Sequence, residues 1–182
     1  MRLAFRDYRP SDRAHLCQCL NSLGDTTVPL DPWHRITRTP DHGRRLASFA
    51  LGQVRANHGF VLIAEVDGEP AGAAIAWTHI PSGPGRTWQL PTKIGWVWGL
   101  AVLPAMRGRG VGTRLLRECE RRFRADGCDQ LRLGTFAHNR QALRLYAREG
   151  YEARDVGLGK PLGPPKHRWP ASGRPSRRKR PR

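Results

Sequence analysis

Residues 100–113 read LAVLPAMRGRGVGT, and this stretch decides the fold. Its first residues are apolar and β-prone, which predicts a strand that Pro104 terminates. A loop rich in glycine and arginine follows and leads directly into a helical pattern. The first amides of a helix lack internal partners and carry the positive end of its dipole, so the loop predicts an anion site. The side chains of Arg107 and Arg109 could add bidentate phosphate contacts.

Two well-known phosphate-binding loops fit this stretch less well. A Rossmann loop wants G-x-G-x-x-G near the start of a βαβ unit, whereas residues 108–112 have the spacing G-x-G-x-G. A Walker loop would need Gly-Lys-Ser/Thr, which this stretch lacks. Flexible surface turns use the same residue types, so the loop by itself also allows a purely structural interpretation.

Three antiparallel strands are expected immediately before the loop. Residues 58–66 predict the first strand, Asp67-Gly68 is a two-residue turn typical of hairpins, and residues 71–80 predict the returning strand. A Pro/Gly-rich loop at residues 81–85 then separates the hairpin from a third strand at residues 94–103.

The rest of the chain alternates between helical and extended patterns. The remaining expected elements are strand 3–8, a helix with Leu16, Cys19, Leu20 and Leu23 on one face, a loop or broken helix at 24–42, helix 44–55, helix 110–125, strand 131–136, helix 139–149 and a weak final strand 151–158. The pattern predicts an α/β fold with a central mixed, mostly antiparallel sheet flanked by helices.

Length and charge favour one domain with a basic tail. We expect a domain at residues 1–160 and a disordered tail at 161–182, because residues 160–182 contain nine Lys or Arg and no acid within a net charge of +17. No apolar run approaches the roughly 20 residues that span a bilayer, and the N-terminus lacks an apolar signal region. The expectation is a cytoplasmic protein without a membrane partner, either monomeric or homodimeric.

The cysteines predict neither a metal site nor a disulfide framework. Cys17, Cys19, Cys119 and Cys128 show no paired C-x-x-C spacing with histidine partners. We therefore expect reduced, structural thiols and no bound metal.

Two blocks of the chain resemble the GNAT superfamily of acyl-CoA-dependent N-acetyltransferases. Residues 107–112, RGRGVG, match its Arg/Gln-x-x-Gly-x-Gly/Ala signature, and residues 100–104, LAVLP, match its L-x-V-x-P strand. Residues 139–151, NRQALRLYAREGY, look like its N-x-x-A-x-x-L-Y-x-x-x-G-F/Y element. The resemblance covers about residues 1–160 and implies a GNAT-like fold.

The resemblance also implies acetyl-CoA as cosubstrate and assigns its contacts. Amides of the loop would surround the pyrophosphate, the strand before the loop would pair with pantetheine, and residues of the second block would contact the cofactor arm. Tyr146 would donate a proton to the departing thiolate as general acid. A purely structural role for Tyr146, as a half-buried helix aromatic, stays open. The implied cofactor-binding residues are Leu100, Ala101, Val102, Arg107, Gly108, Arg109, Gly110, Val111, Gly112, Thr113, Asn139, Ala142 and Tyr146.

The general base is not evident from the sequence. An acceptor amine with a pKa of about 10.4 must lose a proton before it attacks. Many relatives place Glu or His on the strand before the loop, but residues 95–100, GWVWGL, contain no base. Glu65 and His79 on the hairpin are candidates, and either could instead be a surface residue. Trp96 and Trp98 could pack in the core or line the acceptor site.

The expected function is transfer of an acetyl group from acetyl-CoA to a primary amine of an unidentified acceptor, which could be a small molecule, a peptide or a protein, by direct attack in a ternary complex. Two other functions compete with it. The basic tail could weakly contact nucleic acid, which would make the chain a nucleic-acid-associated protein with an acyl-CoA-binding domain. The domain could also bind acyl-CoA without catalysis.

Overall fold

Five strands form one mixed sheet in the computed structural model, which describes residues 1–34, 36, 38–79 and 92–163. The strands lie side by side in chain order, and they are β1 (Leu3–Asp7), β2 (Phe60–Val66), β3 (Glu69–His79), β4 (Ile94–Val102) and β5 (Gln130–Leu133). The helices are α1 (Arg13–Thr27), α2 (His42–Ala56), α3 (Val111–Ala125) and α4 (Arg140–Arg148). The predicted mixed α/β fold is confirmed.

The pairing of neighbouring strands changes from antiparallel to parallel at one place in the sheet. The pairs β1–β2, β2–β3 and β3–β4 are antiparallel, and β4–β5 is parallel. The tight turn between β2 and β3 has φ 53° at Asp67 and φ 91° at Gly68, the left-handed conformation that a type I′ hairpin requires at both positions. The predicted hairpin is therefore confirmed.

Helices cover both faces of the sheet. On one face, alternate residues of β2 such as Leu62 and Ala64 pack in a cluster with the buried side of α3. On the other face, Val61 and Ile63 pack with α1 and α2. We call these the α3 face and the α1/α2 face. Because side chains alternate along a strand, the apolar β2 sequence supplies both clusters.

Most predicted elements are confirmed, with shifts at their ends. The helix predicted to stop near residue 24 continues through Gly24 to Thr27. Close packing against His42 favours a glycine at position 24, since a Cβ there would lie 2.6 Å from Nε2 of His42. The strand predicted at 131–136 is shorter and ends at Leu133. Residues 80–91, with the loop predicted at 81–85, and residues 164–182, most of the predicted tail, lie outside the described residues.

The final strand predicted at residues 151–158 is wrong. Residues 151–162 form no regular element, and from Glu152 onward their side chains are exposed. Charged residues and Gly157 interrupt the apolar alternation that a strand needs to bury one face.

Gly95 allows α3 to lie close to β4. A Cβ on Gly95 would lie 2.5 Å from the Phe123 ring of α3. We expect Gly95→Ala to lower the free energy of unfolding by about 1–3 kcal/mol, because the buried ring must move to make room. Gly52→Ala in α2 is the matched control, since nothing lies within 4 Å of that position, and it should be neutral or stabilising. Urea unfolding of both variants measures the difference, and equal stability would contradict the close-packing argument.

Candidate active site

The parallel strands β4 and β5 separate halfway along β4. Their pairing runs from Ile94–Gln130 to Val97–Leu133 and then stops. β4 continues to Val102, while β5 ends and Gly134 begins an irregular segment. On the side facing β5, the second half of β4 pairs with no strand among the described residues. We call this gap the β4–β5 opening. It leaves β4 backbone groups available to a ligand.

A β-bulge at Trp98 sits where the strands separate. Ile75 pairs with Gly99 and Ala76 pairs with Val97, so Trp98 has no partner on β3. Trp98 packs with the α1/α2 cluster, while Val97 and Leu100 on either side pack on the α3 face. The extra residue shifts the alternation of side chains by one position. As a result Leu100, and not Gly99, faces α3.

Free amides gather at the N-terminus of α3, next to the opening. Gly110 caps the helix with φ 75°, and Gly108 has φ 74°. The first amide of this region with a backbone acceptor is that of Arg114, which bonds the Gly110 carbonyl at 3.1 Å. The amides of residues 108–113 have no partner among the described residues. A helix N-terminus with open amides is an anion site by its own electrostatics.

The two arginines of this loop differ in their contacts. The Arg107 guanidinium donates to the Val102 carbonyl at 3.0 Å and to Ser22 and Thr26 of α1 at 3.0 and 3.2 Å. This side chain anchors the loop to α1, and the bidentate phosphate contact expected for Arg107 stays a prediction. Arg109 makes no hydrogen bond or ion pair with any described residue, so its charge is available to an anion.

Asn139 has a clear structural task at the start of α4. Its side-chain oxygen accepts from the Ala142 amide at 3.2 Å, and its amide group donates to Thr135 at 2.9 Å. It is therefore an N-cap. This explains the helix start without a ligand, and the cofactor contact expected for Asn139 and Ala142 stays a prediction.

Tyr146 lies on α4 and packs against the α3-face cluster. Burial raises the pKa of its phenol, so the group is protonated at neutral pH and can donate a proton. Its hydroxyl bonds no described residue. The neighbouring Tyr151 ring lies 6.0 Å away, and its hydroxyl donates to Glu120 at 2.8 Å. Of these two phenols, only that of Tyr146 has no partner among the residues that the structure describes.

Glu65 belongs to an ion-pair network at the β1 edge. It accepts from Nε of Arg6 at 2.6 Å, and Arg6 also bonds Asp12 at 2.7 and 2.9 Å. Hydrogen bonding to Arg6 lowers the pKa of the buried Asp12 carboxyl to about 2. Glu65 thus helps hold β1, β2 and the start of α1 together, which makes it a weak candidate for a base.

His79 lies at the rim of a cavity of about 310 Å³. The cavity lies beside the paired half of β4 and is lined by Trp77, His79, Ile94, Trp96 and Arg132. Trp77 pairs with Trp96, which in turn pairs with Arg132, so these three side chains share one sheet face. Trp77 packs with the α1/α2 cluster, so the face that these side chains share is the α1/α2 face. We call this the tryptophan cavity.

The two tryptophans of β4 have different surroundings. Trp96 lines the tryptophan cavity. Trp98 packs in the α1/α2 cluster. Its ring centroid lies 6.0 Å from that of Trp77 and 5.7 Å from that of Phe49. Trp96 therefore lines a cavity wall, whereas Trp98 packs in the core.

Sequence reasoning missed Trp77 and Arg132 at this cavity. Both lie in strands that the sequence did predict, and alternation along each strand could have placed Trp77 on the face of Ile75. The pairing of Arg132 opposite Trp96 depends on the parallel register of β4 and β5, which follows from packing and not from any local pattern.

The described residues hold no group of three or more His, Cys, Asp or Glu side chains suited to a metal ion. Within that same part of the chain, no helix is long and apolar enough to cross a membrane.

All four cysteines are free, and burial raises the pKa of Cys19 and Cys119 to about 12. Such thiols are protonated and unreactive, in agreement with the structural role expected for them.

Comparison with known proteins identifies the family. Residues 27–151, more than half of the chain, match the acetyltransferase (GNAT) family. The chain belongs to the GNAT family. An uncharacterised N-acetyltransferase of Bacillus subtilis is 30% identical over 111 residues, 61% of this chain and 66% of the relative. The aminoalkylphosphonate N-acetyltransferase of Salmonella typhimurium is 42% identical over 59 residues, 32% of this chain and 38% of that enzyme. This GNAT chain thus spans less than two thirds of these curated relatives.

Solved structures support the same fold. An aminoglycoside N-acetyltransferase in complex with CoA superimposes with a TM-score of 0.63 at 21% identity, covering 88% of this chain and 94% of that one. An acetyltransferase of Trypanosoma brucei gives a TM-score of 0.57 at 18% identity, covering 88% and 100%. The GNAT fold predicted from the sequence is confirmed.

The α3 N-terminus generates a direct test. We expect Gly110→Asp to weaken acetyl-CoA binding by roughly tenfold or more, because it adds a negative charge beside the free amides. Gly127→Asp is the matched control: it lies beyond the other end of α3, has the same left-handed φ of 75° and likewise has open space around it. Calorimetric titration of both variants measures the difference. If both bind equally, the α3 N-terminus does not hold the pyrophosphate.

Proposed function

We propose that this GNAT chain transfers an acetyl group from acetyl-CoA to a primary amine of a small acceptor, with both substrates bound together. The observation that carries the proposal is the set of free amides at residues 108–113 beside the β4–β5 opening. An anion site that adjoins an unpaired strand edge suits a long ligand with a phosphate group at one end and amide groups along its arm.

The chain's own groups fit acetyl-CoA in this position. The amides of residues 108–113 and the Arg109 side chain would hold the pyrophosphate. The Arg107 amide would not join them, since it already donates to the Pro104 carbonyl at 3.3 Å. Backbone groups of Leu100, Ala101 and Val102, on the half of β4 that pairs with no described strand on its β5 side, would pair with pantetheine. Acetyl-CoA supplies the thioester, whose C–S bond breaks as the amine nitrogen forms the new C–N bond.

Tyr146 is the proposed general acid. Its partner-free, protonated phenol would donate to the thiolate sulfur as that sulfur leaves. Its place on the α3 face puts this donor on one side of the sheet, while the tryptophan cavity opens on the α1/α2 face. The acceptor would therefore approach from the face opposite the acid.

His79 is the better of the two proposed bases. It is exposed and lines the tryptophan cavity, where it could take the amine proton directly or through water. Glu65 is bonded to Arg6 at the β1 edge, two strands from β4. Loss of that contact would affect folding before it affected chemistry.

The relatives support a small acceptor. The names of two of them specify an aminoalkylphosphonate and an aminoglycoside, both small compared with a protein. The cavity volume of about 310 Å³ is at the lower end of small-molecule sites, which run from about 300 to 1,000 Å³. The family match favours this function over a nucleic-acid-associated protein.

The general proposal is tested by release of CoA thiol. The full chain with acetyl-CoA and a panel of small amines should release thiol with at least one amine and form the matching acetylamide by mass spectrometry. Acetyl-CoA binding without transfer to any amine, including peptide amines, would contradict catalysis and support a binding domain.

The acid assignment has its own test. We expect Tyr146→Phe to slow the single-turnover rate by roughly tenfold or more, with acetyl-CoA affinity within about threefold, because only the proton donor is lost. Tyr151→Phe is the matched control, since its hydroxyl bonds Glu120 and it should change stability more than rate. Equal single-turnover rates for Tyr146→Phe and the unaltered protein would make Tyr146 structural.

The two base candidates separate by substitution. His79→Gln should lower kcat by roughly tenfold while leaving the melting temperature nearly unchanged, because the side chain is exposed. Glu65→Gln should lower the melting temperature and leave kcat of the folded protein nearly unchanged, because it removes the charge that pairs with Arg6. Initial rates and thermal unfolding measure both, and the reverse pattern would assign the base to Glu65.

A further inference from the structure

Arg132 is an unusual residue within the tryptophan cavity. Its Nε–H is shielded from solvent and has no hydrogen-bond partner among the described residues. Elsewhere on the guanidinium, Nη2 donates to the Gln130 side-chain oxygen at 3.0 Å. A buried donor without an acceptor is costly, so such a group in a native protein calls for an explanation.

Arg132 also lacks a counter-ion. No carboxylate of the described residues forms an ion pair with it, although Arg6, Arg117 and Arg122 each have one. The other segments of the sequence, including residues 80–91 and 164–182, contain no Asp or Glu. No acidic side chain of this chain therefore lies within 4.0 Å of the Arg132 guanidinium nitrogens. A ligand could supply the missing anion.

The cavity walls beside Arg132 indicate which other chemical groups a ligand would contain. Trp77 and Trp96 stand next to it on the same face and are half-buried, with ring area exposed to the cavity. Indole faces bind flat or apolar groups, and guanidinium groups bind carboxylate or phosphate oxygens by charge-assisted hydrogen bonds. His79 adds no negative charge to compete.

The cavity lies close to where acetyl transfer would occur. Trp96 and Arg132 pair one residue before β4 and β5 separate at Val97 and Leu133. A residue advances a strand by about 3.3 Å, so a ligand group at Arg132 and an amine in the β4–β5 opening could belong to one small molecule.

We propose that the tryptophan cavity selects amines that also carry an anionic group, carboxylate or phosphonate, which Arg132 binds while Trp77 and Trp96 hold the intervening apolar part. This inference rests on the proposed acetyl transfer and narrows its substrate class. Arg132 acts in specificity and takes no part in the chemical step.

The test compares acceptors that differ only in charge. The probes are 4-(aminomethyl)benzoate, its neutral amide 4-(aminomethyl)benzamide, and 4-(aminomethyl)phenylphosphonate. The full chain should prefer the benzoate or the phosphonate over the amide by roughly tenfold or more in kcat/KM, which is the usual worth of a charge-assisted contact. The ratio between the two anions tells carboxylate from phosphonate recognition. Equal use of all three probes would overturn the proposal.

Substitution assigns the preference to Arg132. Arg132→Gln should reduce the anion preference to below about threefold, whereas Arg132→Lys should keep part of the preference. Arg124→Gln, an exposed arginine of α3, is the matched control for loss of one charge and should keep the full preference. If Arg132→Gln slows all probes equally, or if Arg124→Gln has the same effect, Arg132 is not the selecting residue.

Binding distinguishes failure of this inference from failure of the proposed function. Calorimetry on the CoA-saturated protein should show the benzoate binding the unaltered chain and binding Arg132→Gln roughly tenfold more weakly. Such binding without acetyl transfer would refute the proposed function and leave the anion site intact. Transfer to amines with no Arg132-dependent binding or preference would refute the anion site and leave the function intact.

Discussion

The separation of β4 from β5 is the constraint on which the rest of this site depends. Parallel strands that remained paired would satisfy the β4 backbone along its whole length. Here the pairing with β5 stops after Val97, so the second half of β4 pairs with no described strand on that side. Buried backbone groups must find partners, and a ligand lying in the opening is one way to satisfy them. The bulge at Trp98 marks the same point on the other edge of β4.

Two buried clusters hold this opening in place. The α3-face cluster fixes the N-terminus of α3 beside the end of β4, and the α1/α2 cluster supports the strand from behind. Arg107 joins the two sides, because its backbone belongs to the anion loop and its side chain bonds α1. An arginine that looks like a phosphate ligand in the sequence therefore contributes chiefly to the position of the loop.

The two faces of the sheet divide the proposed work between them. The α3 face contains the free amides and Tyr146, which suit the cosubstrate and its leaving group. The α1/α2 face contains the tryptophan cavity, with His79 at its rim and an uncompensated cation at Arg132. In the proposed reaction, the acid would act from one face of the sheet and the base from the other.

The sequence by itself determined the elements that have strong local signals. The hairpin follows from the Asp67-Gly68 dipeptide, whose residues tolerate the two positive φ angles of the turn, and the helix after Gly110 follows from glycine spacing and an apolar stripe. These depend on neighbours along the chain, so the residue pattern reveals them. The motifs at residues 100–112 and 139–151 likewise carry the resemblance to the GNAT family. Local patterns failed at residues 151–158, where a few apolar residues among charged ones did not form a strand.

Only the tertiary structure decided which side chains are free and which are occupied. Arg107 and Asn139 match family motifs, yet their side chains bond the protein itself. Glu65 and His79 looked equivalent as bases until the sheet order put one in an ion pair and the other at a cavity. Arg132 carried no signal at all, because its importance comes from the register of β4 on β5. Contacts between residues far apart in the chain are set by packing, and a single sequence does not encode them in any local pattern.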